Sequence, residues 1–447
     1  ENTVLDTVIM IPGEVSEVSG TISTTTWTTS YVYYVTDDIT IDAGQTLTIN
    51  PGVRVKFYED KGMTVNGKLL ANGTADDHVL FTSKEPTPLP GDWDNIELNG
   101  RDNNLTYVDY KYASDGITGG SVDHTTIDHL TIQGNLALTA RGIYFDSGDS
   151  LTITNNYFAI AGNRGIYANE ADYSDISSNT IITPTYGIYA NDCDYCSINE
   201  NDINTGDGTT GPDHAIYAPN STQIQVLNNT LVADENGVYV TSSFKAAIKQ
   251  NNITGRIYYS GINFYDSDSS LVYNNSFERT EGLGTSSDLN YFINGDESDF
   301  SIIRKNSIYH PNLGNGRREY GIRCQQSLVD SNNIDMYFNG YDYRVSTIWD
   351  DYNSDIINNT ITMYSNSYTY EEQVVIYSGS SGDSFHKIED NIINFDHTGR
   401  SRVEYAIQAY SNKIIRNNTI SCDYLENAIH IENNCIVDSN TISGDYS

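Results

Sequence analysis

The sequence predicts an all-β protein that folds as a single β-solenoid of about 15 or 16 coils. First, the 447 residues include 35 Tyr and 35 Gly and are rich in Asn, Thr, Ser and Ile, a composition that suits strands and turns. Second, a short motif centred on Asn recurs twelve times at spacings of 22 to 32 residues. Third, a Gly-Ile-Tyr motif alternates with it. Self-similarity at this period is typical of a repeat protein.

The Asn motif consists of an aliphatic residue, two variable residues, Asn, one variable residue and an apolar residue, as in Ile198, Asn201 and Ile203. Strand residues five positions apart point to opposite faces, so both apolar residues face inward only if the chain bends at the Asn. Asn suits a bend because it tolerates the left-handed conformation. Stacked coils then align the Asn side chains into an internal ladder. The ladder residues are Asn156, Asn179, Asn201, Asn229, Asn251, Asn275, Asn306, Asn332, Asn359, Asn391, Asn418 and Asn440.

The Gly-Ile-Tyr motif marks a second strand of each coil, as in Gly187-Ile188-Tyr189. In its first six copies the Ile or Val lies ten residues before the aliphatic residue of the Asn motif. A fixed offset of this kind indicates one repeating unit. The Ile points inward and the Tyr outward, so successive Tyr residues should stack on the outer surface. Leucine-rich repeats have a similar period, but they need a Leu ladder, and Leu is scarce here.

The chain divides by regularity into two segments. Residues 1–119 are predicted to form an N-terminal strand or cap and the first coils, because short apolar alternations there end at turn signals such as Asn50-Pro51-Gly52. Residues 120–447 are predicted to form the regular repeats, with the Asn ladder and with long lateral loops in the second half. Consecutive coils should lie about 4.8 Å apart.

The two motifs resemble the repeats of the right-handed parallel β-helix superfamily, which includes NosD-like and pectate-lyase-like proteins. The resemblance covers about residues 120–447 and is closest to extracellular surface proteins of this type. It implies the right-handed parallel β-helix fold but no particular function. A role in copper maturation, known for some NosD-like proteins, is not implied here, because the four Met and eight His form no cluster with Cys.

The charge excludes several classes of function. The chain has 60 acidic and 24 basic residues and a net charge of −36, so it cannot neutralise a nucleic-acid backbone over a wide surface. The same charge argues against docking on an anionic membrane. No apolar stretch approaches the length of a transmembrane helix. We expect no nucleic-acid partner and no transmembrane segment.

Several features favour a secreted or cell-surface protein. The chain begins with Glu1, which a cleaved signal peptide would explain. An acidic surface suits the same environment. Eight Asn-x-Ser/Thr sequons are candidates for N-glycosylation, although a chain rich in these residues also produces sequons by chance. They are Asn72, Asn104, Asn220, Asn228, Asn252, Asn274, Asn358 and Asn417.

The longer connections between the Asn motif and the next Gly-Ile motif carry Arg, His and Tyr. They insert at one point of the coil, so they should line one side wall. Tyr offers flat apolar faces and Arg offers donors for hydroxyls or carboxylates, so this wall could bind a glycan or a partner protein. The alternative is that these side chains only pack the loops. The wall residues are Arg317, Arg318, Tyr320, Tyr341, Tyr343, Arg344, Tyr368, Tyr370, Arg400 and Arg402; Arg279, His310, Tyr337, Tyr364, His397 and Tyr405 lie in or beside the same connections.

A strip of acidic residues follows the Gly-Ile-Tyr motif. Stacked carboxylates repel each other unless a cation bridges them, and Ca²⁺ accepts several carboxylate oxygens. Asp192, Asp194, Asp266 and Asp268 are therefore candidate calcium ligands, with a solvated acidic face as the alternative. No other cofactor is indicated.

We favour a non-catalytic extracellular structural or adhesive protein. The last coil, around Ile442, is followed by only a few residues, and an uncovered β edge can pair with another copy. Head-to-tail stacking into a filament or surface array is therefore expected. The alternatives are a polysaccharide lyase or glycoside hydrolase, and a tailspike-like glycan binder that uses the Arg/Tyr wall. The Gly-His-Gly and Arg-Ile-Lys segments of polygalacturonase-like enzymes do not occur. Catalysis stays open at this stage.

Overall fold

The structure is a computed structural model that describes most of the chain. The described residues are 14–134, 140–160, 162, 164–205, 214–280, 289–311, 318–338, 344–365, 373–379, 384–397, 403–422 and 425–444. Within these ranges the chain forms 48 strands, paired in parallel, and no α-helix. Each strand pairs with strands one turn earlier and later, which defines a β-solenoid. The predicted fold class is confirmed, with about 14 turns rather than the expected 15 or 16 coils.

The first of two compact units comprises residues 1–148 and 152–162. Strands β1 and β3 are long, with 9 and 11 residues, and β10 spans a corner because it pairs with both β7 and β8 of the previous turn. The strands are β1 Glu14–Ile22, β2 Thr25–Trp27, β3 Tyr31–Ile41, β4 Thr46–Ile49, β5 Arg54–Phe57, β6 Met63–Val65, β7 Lys68–Asn72, β8 Val79–Ser83, β9 Ile96–Leu98, β10 Asn104–Lys111, β11 Ile117–Ser121, β12 Thr126–Gln133, β13 Arg141–Ser147, β14 Thr152–Thr154 and β15 Tyr157–Ala159.

The second unit comprises residues 149–151 and 163–447. It repeats three strands per turn. The strands are β16 Arg164–Asn169, β17 Asp175–Ser177, β18 Thr180–Ile182, β19 Tyr186–Asn191, β20 Ser197–Asn199, β21 Asp202–Asn204, β22 His214–Pro219, β23 Gln225–Leu227, β24 Thr230–Ala233, β25 Asn236–Thr241, β26 Ala247–Lys249, β27 Asn252–Gly255, β28 Ser260–Asn263, β29 Leu271–Tyr273, β30 Ser276–Arg279, β31 Leu289–Asn294, β32 Ile302–Arg304, β33 Ser307–His310, β34 Arg318–Cys324, β35 Leu328–Asp330, β36 Asn333–Phe338, β37 Arg344–Asp350, β38 Asp355–Ile357, β39 Thr360–Ser365, β40 Gln373–Ser378, β41 His386–Glu389, β42 Ile392–His397, β43 Val403–Ala409, β44 Lys413–Arg416, β45 Thr419–Cys422, β46 Leu425–Ile431, β47 Ile436–Asp438 and β48 Thr441–Ser443.

These strands build three faces in the second unit. The strands of the Gly-Ile-Tyr motif, from β16 and β19 to β46, form what we call the Gly-Ile face. The strands before and after each ladder Asn form the other two faces. The regularity reflects the sequence, because the Gly-Ile-Tyr motif supplies one strand of each turn and the Asn motif supplies the other two. The repeat-based division into residues 1–119 and 120–447 concerns sequence regularity and stays a prediction.

The interior is a set of apolar columns that run through successive turns. Ile198 is paired in register with Ile176 and Val226, and all three are fully buried. Burying an aliphatic side chain of this size stabilises the fold by about 1.5–3 kcal/mol. Because each turn covers only its neighbours, stability is approximately a sum of such interfaces.

The sequence predicted a bend at the ladder Asn, and this position is wrong. In the structure the bend falls one residue earlier. Asn228, for example, has φ 55°, whereas the ladder residue Asn229 is not in the left-handed region. The same position is left-handed in each copy from Asn155 to Ser439. Its occupants are Asn, Ser, Glu, Gln, Lys and Asp, so the bend does not depend on one residue type. The ladder Asn is therefore retained for its inward-pointing amide.

The Gly of the Gly-Ile-Tyr motif is required by close packing. A Cβ added at Gly237 would lie 2.5 Å from Ile253 Cγ2 and 2.6 Å from Gly261 O. Such distances are far below a van der Waals contact, so a larger residue would push neighbouring turns apart. The Gly therefore fixes how closely the Gly-Ile face packs on the opposite strands.

Candidate functional site

In the second unit the ladder residues from Asn179 to Asn440 form a continuous chain of hydrogen bonds, and all of them except Asn440 are buried. At Asn251, Oδ1 accepts hydrogen bonds from both the backbone N–H and the Nδ2 of Asn229, at 3.0 and 2.9 Å. Nδ2 of Asn251 donates to Asn275 Oδ1 at 3.0 Å and to Val226 O at 2.9 Å. Both amide protons and the amide oxygen are thus satisfied inside the solenoid. The ladder is a structural element without free capacity for a ligand.

In the first unit, Asn156 has a comparable role. Its Oδ1 accepts the N–H of Leu130 at 2.8 Å, and its Nδ2 donates to Ile127 O at 3.0 Å. Asn103, which lies outside the twelve motifs, is also buried and accepts the N–H of Leu69 at 2.9 Å. The Asn pattern of the regular repeats thus has an irregular counterpart earlier in the chain.

Most of the predicted Arg/Tyr wall lies outside the described residues. This applies to Arg317, Tyr341, Tyr343, Tyr368, Tyr370, Arg400 and Arg402. Arg318 and Arg344 begin strands β34 and β37, and their side chains are not among those described. Tyr320 is described, but it is buried on the Gly-Ile face rather than displayed on a loop. The binding role of the wall stays a prediction.

Two residues that the sequence associated with this wall are interior instead. Arg279 and His310 are buried on either side of Glu319, with Arg279 Nη1 2.9 Å from Glu319 Oε1 and His310 Nε2 2.9 Å from Glu319 Oε2. Burial alone would raise the pKa of Glu319, but the charges of His310 and Arg279 lower it to about 2. These groups compensate each other's charge in the core and are not available to a surface ligand.

The four predicted calcium ligands lie in turns that are not adjacent. Asp192 and Asp194 share one turn, Asp266 and Asp268 share another, and two further turns separate the pairs. Asp194 Oδ1 accepts a backbone N–H of the following turn at 2.6 Å, and Asp268 Oδ1 accepts one at 2.8 Å. Over the described ranges, no group of three or more His, Cys, Asp or Glu residues could hold a metal ion. Calcium binding stays a prediction.

The sequons differ in exposure. The exposed ones are Asn220, Asn228, Asn252, Asn274, Asn358 and Asn417. Asn72 and Asn104 are half-buried, and Asn104 Nδ2 donates to Asn72 Oδ1 at 2.8 Å. Glycosylation requires a reachable amide, so these two are the poorest acceptors on geometric grounds. Use of the sequons stays a prediction.

The Gly-Ile face carries a first aromatic array on its outer side. Its members are Tyr167, Tyr186, Tyr189, Tyr217 and Tyr239, all half-buried. The register places Tyr167, Tyr189, Tyr217 and Tyr239 in successive turns, with ring centroids 5.1, 4.8 and 5.2 Å apart. The guanidinium of Arg164 lies 4.8 Å from the ring centroids of Tyr167 and Tyr189. The predicted outward Tyr residues thus form a continuous aromatic surface.

A second aromatic array occupies the same face further along the chain. Its members are Tyr291, Tyr320, Trp349, Tyr377 and Tyr410. Trp349 and Tyr377 stack with centroids 3.8 Å apart and an interplanar angle of 9°. Both rings are half-buried. Among the ring pairs of the second array, this pair has the smallest interplanar angle, and it forms a flat aromatic platform.

An ion network fixes the second array. Arg323 Nε lies 2.7 Å from Asp351 Oδ2, and Arg323 Nη1 lies 2.6 Å from Asp296 Oδ2. Trp349 Nε1 donates to Asp351 Oδ1 at 2.8 Å. The carboxylate of Asp351 therefore holds the indole and the guanidinium together. A platform held in one orientation loses little entropy when a ligand stacks on it.

Sequence reasoning missed the second array. Trp349 and Tyr377 are aligned with the Tyr of the Gly-Ile-Tyr motif by strand pairing. From turn to turn, the residues paired at this position are Tyr239, Asn263, Asn294, Arg323, Trp349 and Tyr377. The signal in the sequence was their position directly after Ile348 and Ile376. It was weak because the preceding Gly is replaced by Thr347 and Val375.

Comparison with known proteins agrees with this architecture. The family model "Right handed beta helix region" matches residues 115–256 and 186–361, which together span more than half of the chain. A second model, "Pectate-lyase like beta helix domain", matches residues 20–115. The chain therefore belongs to the right-handed β-helix family, and the predicted resemblance to that superfamily is confirmed.

Similarity to individual proteins is limited. Over 69 residues, 15% of this chain, the sequence is 42% identical to Protein bark beetle of Drosophila melanogaster, and the match spans 2% of that protein's length. A double mutant of the periplasmic alginate epimerase AlgG is 11% identical over 91% of this chain and 77% of that chain, with a TM-score of 0.35. The tailspike protein of E. coli bacteriophage HK620, in complex with a pentasaccharide, is 12% identical over 90% of this chain and 74% of that chain, with a TM-score of 0.33.

The described residues contain no helix that is long and apolar enough to cross a membrane.

Proposed function

We propose that this protein is a non-catalytic, adhesive β-helix that binds a polysaccharide chain along the Gly-Ile face. The observation that carries the proposal is the pair of aromatic arrays on one face of the second unit. Sugar rings present apolar C–H faces that pack on aromatic rings, and their hydroxyls need polar groups beside those rings. The stacked pair of Trp349 and Tyr377, 3.8 Å apart, provides such a platform.

The repeat geometry suits an extended ligand. Equivalent positions recur about every 4.8 Å along a solenoid, so aromatic side chains in successive turns can contact successive parts of one chain. The first array extends through four turns from Tyr167 to Tyr239. Such a surface binds by the sum of several modest contacts and suits an adhesive or structural role.

The charges on this face favour binding over hydrolysis. A glycosidase of the usual kind needs two carboxyl groups that flank the bond to be cleaved. Asp296 and Asp351, the carboxylates of the second array, are both held by Arg323. Asp234 is likewise paired with Arg256, at 2.6 Å. Burial raises the pKa of Asp296 above its usual value although Arg323 opposes the shift. Asp296 and Asp351 are nevertheless engaged by one shared guanidinium, so they are not two free carboxyl groups that flank a sugar linkage.

The experiment compares binding and cleavage by the purified protein. A panel of neutral and acidic polysaccharides is tested by affinity electrophoresis, and the products are examined by mass spectrometry. Replacing Trp349 by Ala removes a stacking partner worth about 1.5 kcal/mol, so affinity should fall about tenfold. The matched control replaces Tyr173, which stacks on Tyr195 at 5.1 Å outside the two arrays. Equal effects of the two variants would reject this face as the site, and cleaved products would reject the non-catalytic role.

A further inference from the structure

A pocket of about 290 Å³ separates the two aromatic arrays, and we call it the amide pocket. It is lined by His214, Glu235, Asn236, Tyr239, Tyr259, Ser260, Asn263, Tyr291 and Asn294. Tyr239 ends the first array and Tyr291 begins the second. The pocket therefore lies on the path that a chain stacked on both arrays would follow.

Two buried side-chain oxygens in the pocket have no hydrogen-bond partner. They are Oδ1 of Asn236 and Oδ1 of Asn294, on side chains only 3% and 7% exposed. The Nδ2 groups are engaged: Asn236 Nδ2 lies 3.0 Å from His214 Nδ1, and Asn294 Nδ2 donates to Asn263 Oδ1 at 3.3 Å. An unpaired buried acceptor is costly, so a native fold that keeps two in one pocket indicates a ligand that donates.

The electrostatics of the pocket oppose an anionic ligand. Burial lowers the pKa of His214 to about 4, so the imidazole is neutral at neutral pH. Glu235 is the charged group that remains, and neither Lys nor Arg is among the described lining residues. A carboxylate placed here would face Glu235 and two acceptor oxygens, and the guanidinium of Arg323, 5.9 Å from the Tyr291 ring centroid, is already paired with Asp296 and Asp351. A ligand with hydroxyl donors and no charge meets none of these penalties.

We infer that the amide pocket is a subsite for one neutral glycosyl residue of the bound polysaccharide, an inference that rests on the proposed function. The sugar hydroxyls donate to Oδ1 of Asn236 and Asn294, and the ring packs against Tyr291. A volume of about 290 Å³ is at the lower end of ligand pockets and suits a single sugar unit. The site selects neutral sugars over uronic acids.

The test uses the full chain with two soluble polysaccharide probes, a neutral glucan and a polyuronate. The Asn294→Leu variant removes one acceptor while keeping a similar side-chain volume. It should lower affinity for the neutral probe at least tenfold, because its hydroxyl donors lose a buried partner. The melting temperature should change little, because the variant loses one long hydrogen bond, from Asn294 Nδ2 to Asn263 Oδ1 at 3.3 Å, but also removes a buried acceptor that has no partner in the free protein. The matched control is Asn191→Leu, whose amide donates to Asn169 Oδ1 at 2.5 Å outside the pocket.

The outcomes separate the inference from the proposed function. If Trp349→Ala weakens binding but Asn294→Leu and Asn236→Leu do not, the Gly-Ile face binds glycan and the subsite is rejected. Tighter binding of the polyuronate also overturns the inference. If neither probe binds, the proposed function fails and the subsite fails with it.

Discussion

Replacing a single ladder residue in the middle of the second unit should destabilise its neighbours strongly. Asn251→Ala leaves the N–H and one Nδ2–H of Asn229 without a partner and removes one donor from the C=O of Val226. Each such group costs about 1–3 kcal/mol, and Asn229 and Asn251 are both 1% exposed, so water cannot compensate. The expected cost is at least about 2 kcal/mol.

Two matched variants show how the stability cost of an Asn→Ala change depends on burial. Asn252→Ala changes the next residue, whose exposed side chain accepts a hydrogen bond from Ser276 Oγ at 2.8 Å, and should cost about 0.5 kcal/mol or less. Asn440→Ala changes the last ladder position, which is half-exposed, and should cost about 1 kcal/mol. The order of the three variants follows from burial alone.

The assay is amide hydrogen exchange followed by mass spectrometry, because a repeat protein opens locally and a global transition would average the effect. Asn251→Ala should accelerate exchange in the peptides that contain Val226, Asn229 and Asn275, with little effect in the first unit. Equal exchange in the Asn251 and Asn252 variants would refute the reasoning, since it would mean that the ladder amides contribute no net stability.

Three further predictions concern two buried ionisable groups and self-association. Burial lowers the pKa of His214 from 6.5 to about 4, so between these pH values the unfolded chain binds a proton that the folded protein does not. The free energy of unfolding should therefore be at its full value above pH 6.5 and fall as the pH drops towards 4. Melting curves of His214→Gln should show a weaker dependence of the melting temperature on pH. Glu319→Ala leaves Arg279 buried without its anion and should lower the free energy of unfolding by about 3–5 kcal/mol in urea denaturation. Replacing both residues, as Glu319→Leu and Arg279→Met, should restore most of that stability. Head-to-tail stacking stays a prediction: sedimentation should show concentration-dependent association, and a monomer at all concentrations would contradict it.

The fold could be predicted because the repeat has a direct physical meaning. Residues such as Ile176, Ile198 and Val226 recur at one point of the motif, and the structure pairs them in register as fully buried columns. The Asn amides could be placed inside because a buried Asn needs a partner in the next turn. The exact bend, at Asn228 rather than Asn229, was beyond the pattern, because many residue types tolerate that conformation once neighbouring turns hold it.

The candidate site could be predicted only in part. The outward Tyr residues of the first array follow from strand alternation. Tyr291 and Asn294 carry no motif, and the connection before them differs in length from the others, so their alignment with Tyr239 depends on strand register. The interior position of Arg279 was also hidden, because its partner Glu319 lies 40 residues away in sequence.

By itself, the sequence determined that this chain winds into stacked turns, because periodic apolar and amide side chains satisfy one another only in adjacent turns. Only the tertiary structure decided which outward side chains meet across turns of unequal length. Backbone pairing sets that register, and it brings Tyr239, Asn294 and Trp349 onto one face although 110 residues separate the first from the last.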